Sequence, residues 1–272
     1  MKVVVADGLF APVVEQVFDG AARSAFSSAW IGTFAFAGQI YCDFAGYSNC
    51  AIGVALCLGF EIPANFRFPY AAAGLADLWR RWHISLSTWL RDYLYFSLGG
   101  NRRGVTRAQI NLMLTMLLGG LWHGASWNFV AWGGLHGLYL VAERPFLSLK
   151  LESAFWRSLP VRLFHVLATF TLFCIASTFF RADTIGGAFG MLETMLLGTA
   201  VESPMILPPA SSAITLVAVG VMLSFNFLLR DSDFDEAVDR CPWWLRSVIL
   251  ALMIAAIVMM PGEDRSFIYF RF

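Results

Sequence analysis

The sequence predicts an all-α, polytopic membrane protein, and three observations carry that expectation. Hydrophobic residues fill 58% of the 272 positions and charged residues only 14%, where soluble chains carry about 25% charged residues. The 25 Phe and 10 Trp present more ring surface than a soluble exterior accommodates. The apolar residues fall in long continuous runs, not in the ~10-residue alternating segments of a transmembrane barrel. A formal net charge of 0 argues against nucleic acid as a partner, because phosphate binding needs a basic excess. Cys42, Cys50, Cys57, Cys174 and Cys241 form no CxxC pair, and most sit in apolar segments, where a thiol behaves as a small hydrophobe.

The opening MKVVVADG has a four-residue apolar run, too short for the core of a signal peptide. Residues 24–60 carry one charge, Asp43. That run exceeds a single span of ~20 residues. We expect it to break near Asp43-Phe44-Ala45-Gly46 into helices over 26–42 and 46–60. Asp43 reads equally as a functional intramembrane acid and as a cap of the second helix.

From Glu61 to Arg107 the chain turns Arg-rich, the signature of a cytoplasmic connection. Within it, GLADLWRRWHISLSTWLRDYLYFSLGGNRRG reads as one amphipathic helix at the membrane interface. Leu75, Leu78, Trp79, Trp82, Leu86, Trp89, Leu90 and Tyr93 follow helical spacing, with Asp77, Arg80, Arg81, Arg91 and Asp92 mostly on other faces. His83 falls beside the aromatic stripe. Gly99-Gly100-Asn101 should end the helix.

Two short apolar segments follow, 108–122 and 126–142, joined at His123-Gly124-Ala125. They predict a hairpin whose tip lies inside the protein. Gly119, Gly120, Gly124, Gly133, Gly134 and Gly137 should allow close helix contact. Further spans are expected at 162–181, 209–229 and 243–260, with a weaker apolar segment at 185–200. Residues 143–162 should face the cytoplasm, and 182–208, poor in positive charge, should face outward. The acidic connection 230–246 reads as a solvated loop. No internal repeat or low-complexity linker occurs, which leaves 1–272 as a single membrane domain.

Topology leaves Asp43, Tyr47, His83, Asn111, His123, Asn128 and His136 unexplained. Imidazole is costly in hydrocarbon unless something uses or satisfies it. His136 lies ~15 Å along a helix from Ser126, at ~1.5 Å per residue, so His123 and His136 need not touch. Neutral imidazole near a hydroxyl and an activated acyl group could drive acyl transfer. No HxxxH, HExxH or GxSxG pattern occurs, which weakens the metal and serine-nucleophile readings. Spacing alone leaves an enzyme, a proton-relay transporter and a structural role open.

LWRRWHISLSTWLRDYLYFSLGGNRRG, LGGLWHGASWNFVAWGGLHG, YCDFAGYSNCAIGVALCLGFEIPANF and the closing FIYFRF together resemble the membrane-bound O-acyltransferases, and within them the alginate O-acetyltransferase branch. The resemblance covers most of 1–145 and the last few residues; between 146 and 260 only hydropathy agrees. It implies tilted and broken transmembrane helices, with interfacial amphipathic helices, around a tunnel. It also implies that His123, in the WHG element, is the essential histidine, and that His83, in RWHxSLS, is the second. Asp43, Tyr47, Asn111 and His136 are then candidates for substrate binding. No cofactor or metal is expected to be bound. Acetyl-CoA is the expected donor, an extracytoplasmic polysaccharide the acceptor, and a periplasmic or cell-surface acetyltransferase the usual partner, at a bacterial inner membrane. D-alanyl transfer to a cell-wall polymer and a non-catalytic remnant stay as alternatives. Where the family reads much like YFDFSGYSD, this chain has YCDFAGYSN, with Cys42, Ala45 and Asn49 at the altered positions. KVVVAD resembles a junction near the middle of full-length members, so N-terminal spans are expected to be missing from this sequence.

Overall fold

In a computed structural model of the chain, the described residues are 1–20, 24–148, 158–198, 205–232, 238 and 241–259. Among them the regular structure is helical, with one isolated parallel bridge between Ser24 and Met205. They form two compact units, one from 1–62 with 205–259 and one from 63–198.

In the first unit a π-helical stretch, Lys2–Phe10, runs directly into α1, Ala11–Phe18. This pair packs along α2, Phe26–Cys57. Small residues on α2 make the approach possible. A Cβ at Gly38 would stand 2.5 Å from the Phe10 ring, and one at Gly32 would stand 2.5 Å from Val17. The helix α9, Pro209–Leu229, also packs on α2, where Asn226 and Tyr41 share a side-chain hydrogen bond. The last described helix is α10, Trp243–Met259.

The expected break at Asp43–Gly46 is not there. α2 is one helix of 32 residues. Asp43 is 2% exposed and meets Lys2 Nζ at 2.5 Å, and the same ammonium lies 3.2 Å from buried Asp7. The carboxylate is therefore met by a cation across the helix pair and does not cap a new helix start. Gly46, one turn on, leaves room for the Lys2 backbone.

The second unit begins with a 3₁₀ turn, Pro69–Ala71, then α3, Leu75–Arg81, and α4, Ile84–Trp89, which continues as a π-helical turn, Leu90–Tyr95. The single amphipathic helix expected here is thus broken. Trp82 is extended and His83 adopts the left-handed conformation, φ 43° and ψ 55°. Exposed Trp89 and Tyr93 stack at 5.6 Å beyond the break, as an interfacial face would.

The hairpin follows as α5, Val105–His123, and α6, Trp127–Ser148. The helices touch through backbone: a Cβ at Gly120 would collide with the Phe129 carbonyl oxygen, and one at Gly133 with that of Met116. Lacking those Cβ atoms, the two helices approach as small-residue membrane pairs do. α6 runs past its expected end and contains Pro145. Its far end is tied down. Glu143 accepts from the Ala76 N–H at 2.8 Å, and Arg144 donates to Asn101 Oδ1 at 2.8 Å. Next is α7, Leu159–Arg181, whose 23 residues reach ~35 Å, enough to cross a bilayer core. α8, Ile185–Leu197, starts at a Thr184 cap that accepts from Gly187 N–H at 3.0 Å, and it ends at left-handed Gly198. α7 and α9 are long and apolar enough to span. Of the acidic loop expected over 230–246, residues 233–237 and 239–240 lie outside the described residues, and 243–246 already belong to α10.

Candidate active site

His123 is the last residue of α5. Gly124 turns the chain: its N–H bonds to Leu121 O, and its carbonyl accepts from Ser126 N–H at 2.9 Å. A Cβ at Gly124 would stand 2.6 Å from the Phe129 ring. The WHG sequence is thus a histidine delivered at a helix end, followed by the one residue small enough to let Phe129 close beneath it. Asn128 fixes the next turn by donating to the Ala182 carbonyl at the end of α7.

The half-buried His123 ring is walled by aromatic edges and faces. Trp122 lies at 5.0 Å, Trp132 and Phe180 at 5.1 Å each, and Phe129 at 6.3 Å between ring centroids. Trp122 is 57% exposed, so one side of this group reaches the protein surface. Trp122 also meets His83, at 6.4 Å. The two family-motif histidines therefore flank one indole, although they are 40 residues apart in sequence.

His83 owes its place to a local clamp. The Arg67 N–H bonds to Arg81 O just before the break, and the Ile84 N–H bonds to Asn65 O just after it, both at 3.0 Å. Ser87 Oγ donates to Trp82 O at 3.0 Å, and Asp77 holds Arg81 Nε at 2.9 Å. The ring is 9% exposed, and burial pushes its pKa down to about 4.

His136 is fully buried. Trp132 stands between it and His123, edge-on to both, at 4.9 and 5.1 Å. Trp79 of α3 closes the other side at 5.2 Å, with Tyr139 and Phe173 at 6.1 Å. Trp132, His136, Tyr139 and Glu143 recur every three or four residues and so share one face of α6. Asn111 is fully buried too. Its amide donates to Gly100 O at 3.1 Å, which ties the LGGNRRG turn to α5. Asn101 in that turn accepts from Tyr95 and Arg144.

The second unit therefore brings together His83, His123 and His136 through two tryptophans, with Asn111 on a supporting turn. Asp43 and Tyr47 belong to α2 in the first unit; Tyr47 is 50% exposed. Sequence reasoning passed over Asn65, Trp132 and Glu143. The α6 periodicity could have flagged Trp132 and Glu143. Asn65 left no local signal beyond its place in PANF.

The second unit thus presents a half-buried histidine at the turn between two closely packed helices, and comparison with known proteins identifies the family. The family model of the membrane-bound O-acyltransferases matches residues 4–180. The chain is 38% identical over its whole length to the "Probable alginate O-acetylase AlgI" of Pseudomonas putida, covering 58% of that relative. It is 45% identical over 71% of its length to the protein of the same name from Azotobacter vinelandii, covering 37% of that one. It is 33% identical over its whole length to the "Peptidoglycan O-acetyltransferase" of Helicobacter pylori, covering 54% of that protein. The chain thus spans roughly a third to somewhat over half of these relatives. It belongs to the membrane-bound O-acyltransferase family.

Proposed function

We propose that this protein is a membrane O-acyltransferase that moves an acetyl group from a cytoplasmic donor toward hydroxyls of an extracytoplasmic polysaccharide, of the alginate type. The observation that carries the reading is His123 itself. It is half-buried among aromatic rings at the WHG turn, inside the region matched by the family model. In this reading neutral His123 takes the proton of the attacking hydroxyl. The oxygen forms a bond to the acetyl carbonyl carbon, the carbon–sulfur bond of a thioester donor such as acetyl-CoA breaks, and the leaving thiolate takes the proton from the His123 imidazolium, which returns to neutral. His83, across Trp122, orients the reacting group. Asn111 and His136, buried in the same unit as His123, act as supports.

O-acetyl transfer is favoured over D-alanyl transfer because the relatives matched along the whole chain are named for O-acetylation. A bacterial inner membrane and a periplasmic or cell-surface acetyltransferase partner complete the proposal. The test is His123→Ala in the complete, well-expressed protein, with polymer acetylation as the readout. Acetylation should be abolished, and retained acetylation overturns the assignment.

A further inference from the structure

We infer that Asn65 is a positioning residue that holds the backbone break at His83, and through it the His83 ring beside Trp122. The inference rests on the acyl-transfer reading only for its kinetic arm.

Left-handed backbone is uncommon outside glycine, and it persists where the surroundings over-determine it. Among the described residues only Phe68 and His83 are non-glycine positions with positive φ. Residues after the break hang on Asn65. Its carbonyl accepts from Ile84 N–H at 3.0 Å. Its side-chain Oδ1 accepts from Ser85 Oγ at 2.6 Å and from Ser85 N–H at 3.3 Å. Two residues along, the Arg67 N–H bonds to Arg81 O on the other side of the break, and Arg81 donates back to Arg67 O at 3.3 Å. The segment from Asn65 to Arg67 therefore lies across the break as a splint, with Asn65 Oδ1 on Ser85 and the Phe66 ring 5.1 Å from Trp82. This gives the first serine of RWHISLS a reason to be serine: its hydroxyl is the partner of that oxygen.

The chemistry makes the test specific. Asp keeps an acceptor at the same place and Ala does not, while the backbone contact to Ile84 survives in both. In the intact protein, Asn65→Ala should lower kcat about 10-fold or more, as misplacement of a reacting group does, with KM little changed. Asn65→Asp should recover most of the loss. A second readout is independent of turnover: the ring signals of the four histidines in 15N-histidine-labelled protein, with His83 assigned from H83Q. Asn65→Ala should move the His83 signal alone, and Asn65→Asp should leave it in place. An unmoved His83 signal, or all four signals moving together, overturns the inference. So does Asn65→Asp as impaired as Asn65→Ala. If His123→Ala retains acetylation, the acyl-transfer reading fails while the ring signals still decide the role of Asn65.

Discussion

The indole of Trp132 stands edge-on to the imidazole of His123, with ring centroids 5.1 Å apart and planes at 88°. That contact fixes which way the half-buried imidazole faces, because Trp132 is itself held by His136 and Trp79 behind it. Trp132→Ala should therefore cost polymer acetylation about 10²-fold in kcat. Trp132→Phe, which keeps a ring edge, should lose far less. Parallel assays in membranes with matched protein levels decide it, and equal losses in the two variants would remove Trp132 from this role.

His83 should leave a mark on acid stability. Burial holds its folded pKa at about 4, below its ordinary 6.5. The unfolded chain thus binds the proton more readily. The stabilisation from keeping this ring neutral is present above about 6.5 and is lost as pH falls toward about 4. Melting in detergent should show a wild-type advantage over His83→Gln that is level above pH 6.5 and shrinks below it. An advantage that grows on acidification contradicts the burial.

Glu143 should behave with the opposite sign. Burial raises its pKa, even though it accepts from the Ala76 and Leu75 N–H groups at the start of α3. The folded state then favours the proton. That stabilisation is present below the ordinary carboxylate range and is lost as pH rises through the raised folded value. The melting temperature of Glu143→Gln relative to wild type should therefore climb with pH across that window. Glu143→Ala, which leaves the α3 start without its acceptor, should cost about 1 kcal/mol at neutral pH by chemical denaturation.

Some of this arrangement was legible in the sequence, and the reasons are physical. Long apolar runs and the six hairpin glycines reported helices and their close approach, because period and side-chain size are local properties. α9 begins and ends where hydropathy placed it. Asp43 misled because the cation that meets it, Lys2, lies 41 residues away and carries no pattern of its own. The amphipathic stripe across α3 and α4 misled for a related reason. Helical spacing continues through Trp82 and His83, while the hydrogen bonds from Ile84 N–H to Asn65 O and from Arg67 N–H to Arg81 O bend the backbone there. The pairing of His83 with His123 was expected from motif resemblance. Trp122 as the ring shared between them, and Trp132 as the ring shared by His123 and His136, depend on helix packing and left no trace in spacing.

The contact between Gly120 and Gly133 has a consequence for the chemistry at the hairpin tip. A Cβ on Gly120 would lie 3.3 Å from Gly133 Cα and would already overlap the Phe129 carbonyl. The separation of α5 from α6 is thus a main-chain dimension, fixed before any other side chain is chosen. His123 rides on one helix and Trp132 on the other, so the gauge between imidazole and supporting indole is cut into the backbone. Substitution elsewhere in the wall can change what the imidazole meets, but hardly how far it stands from Trp132.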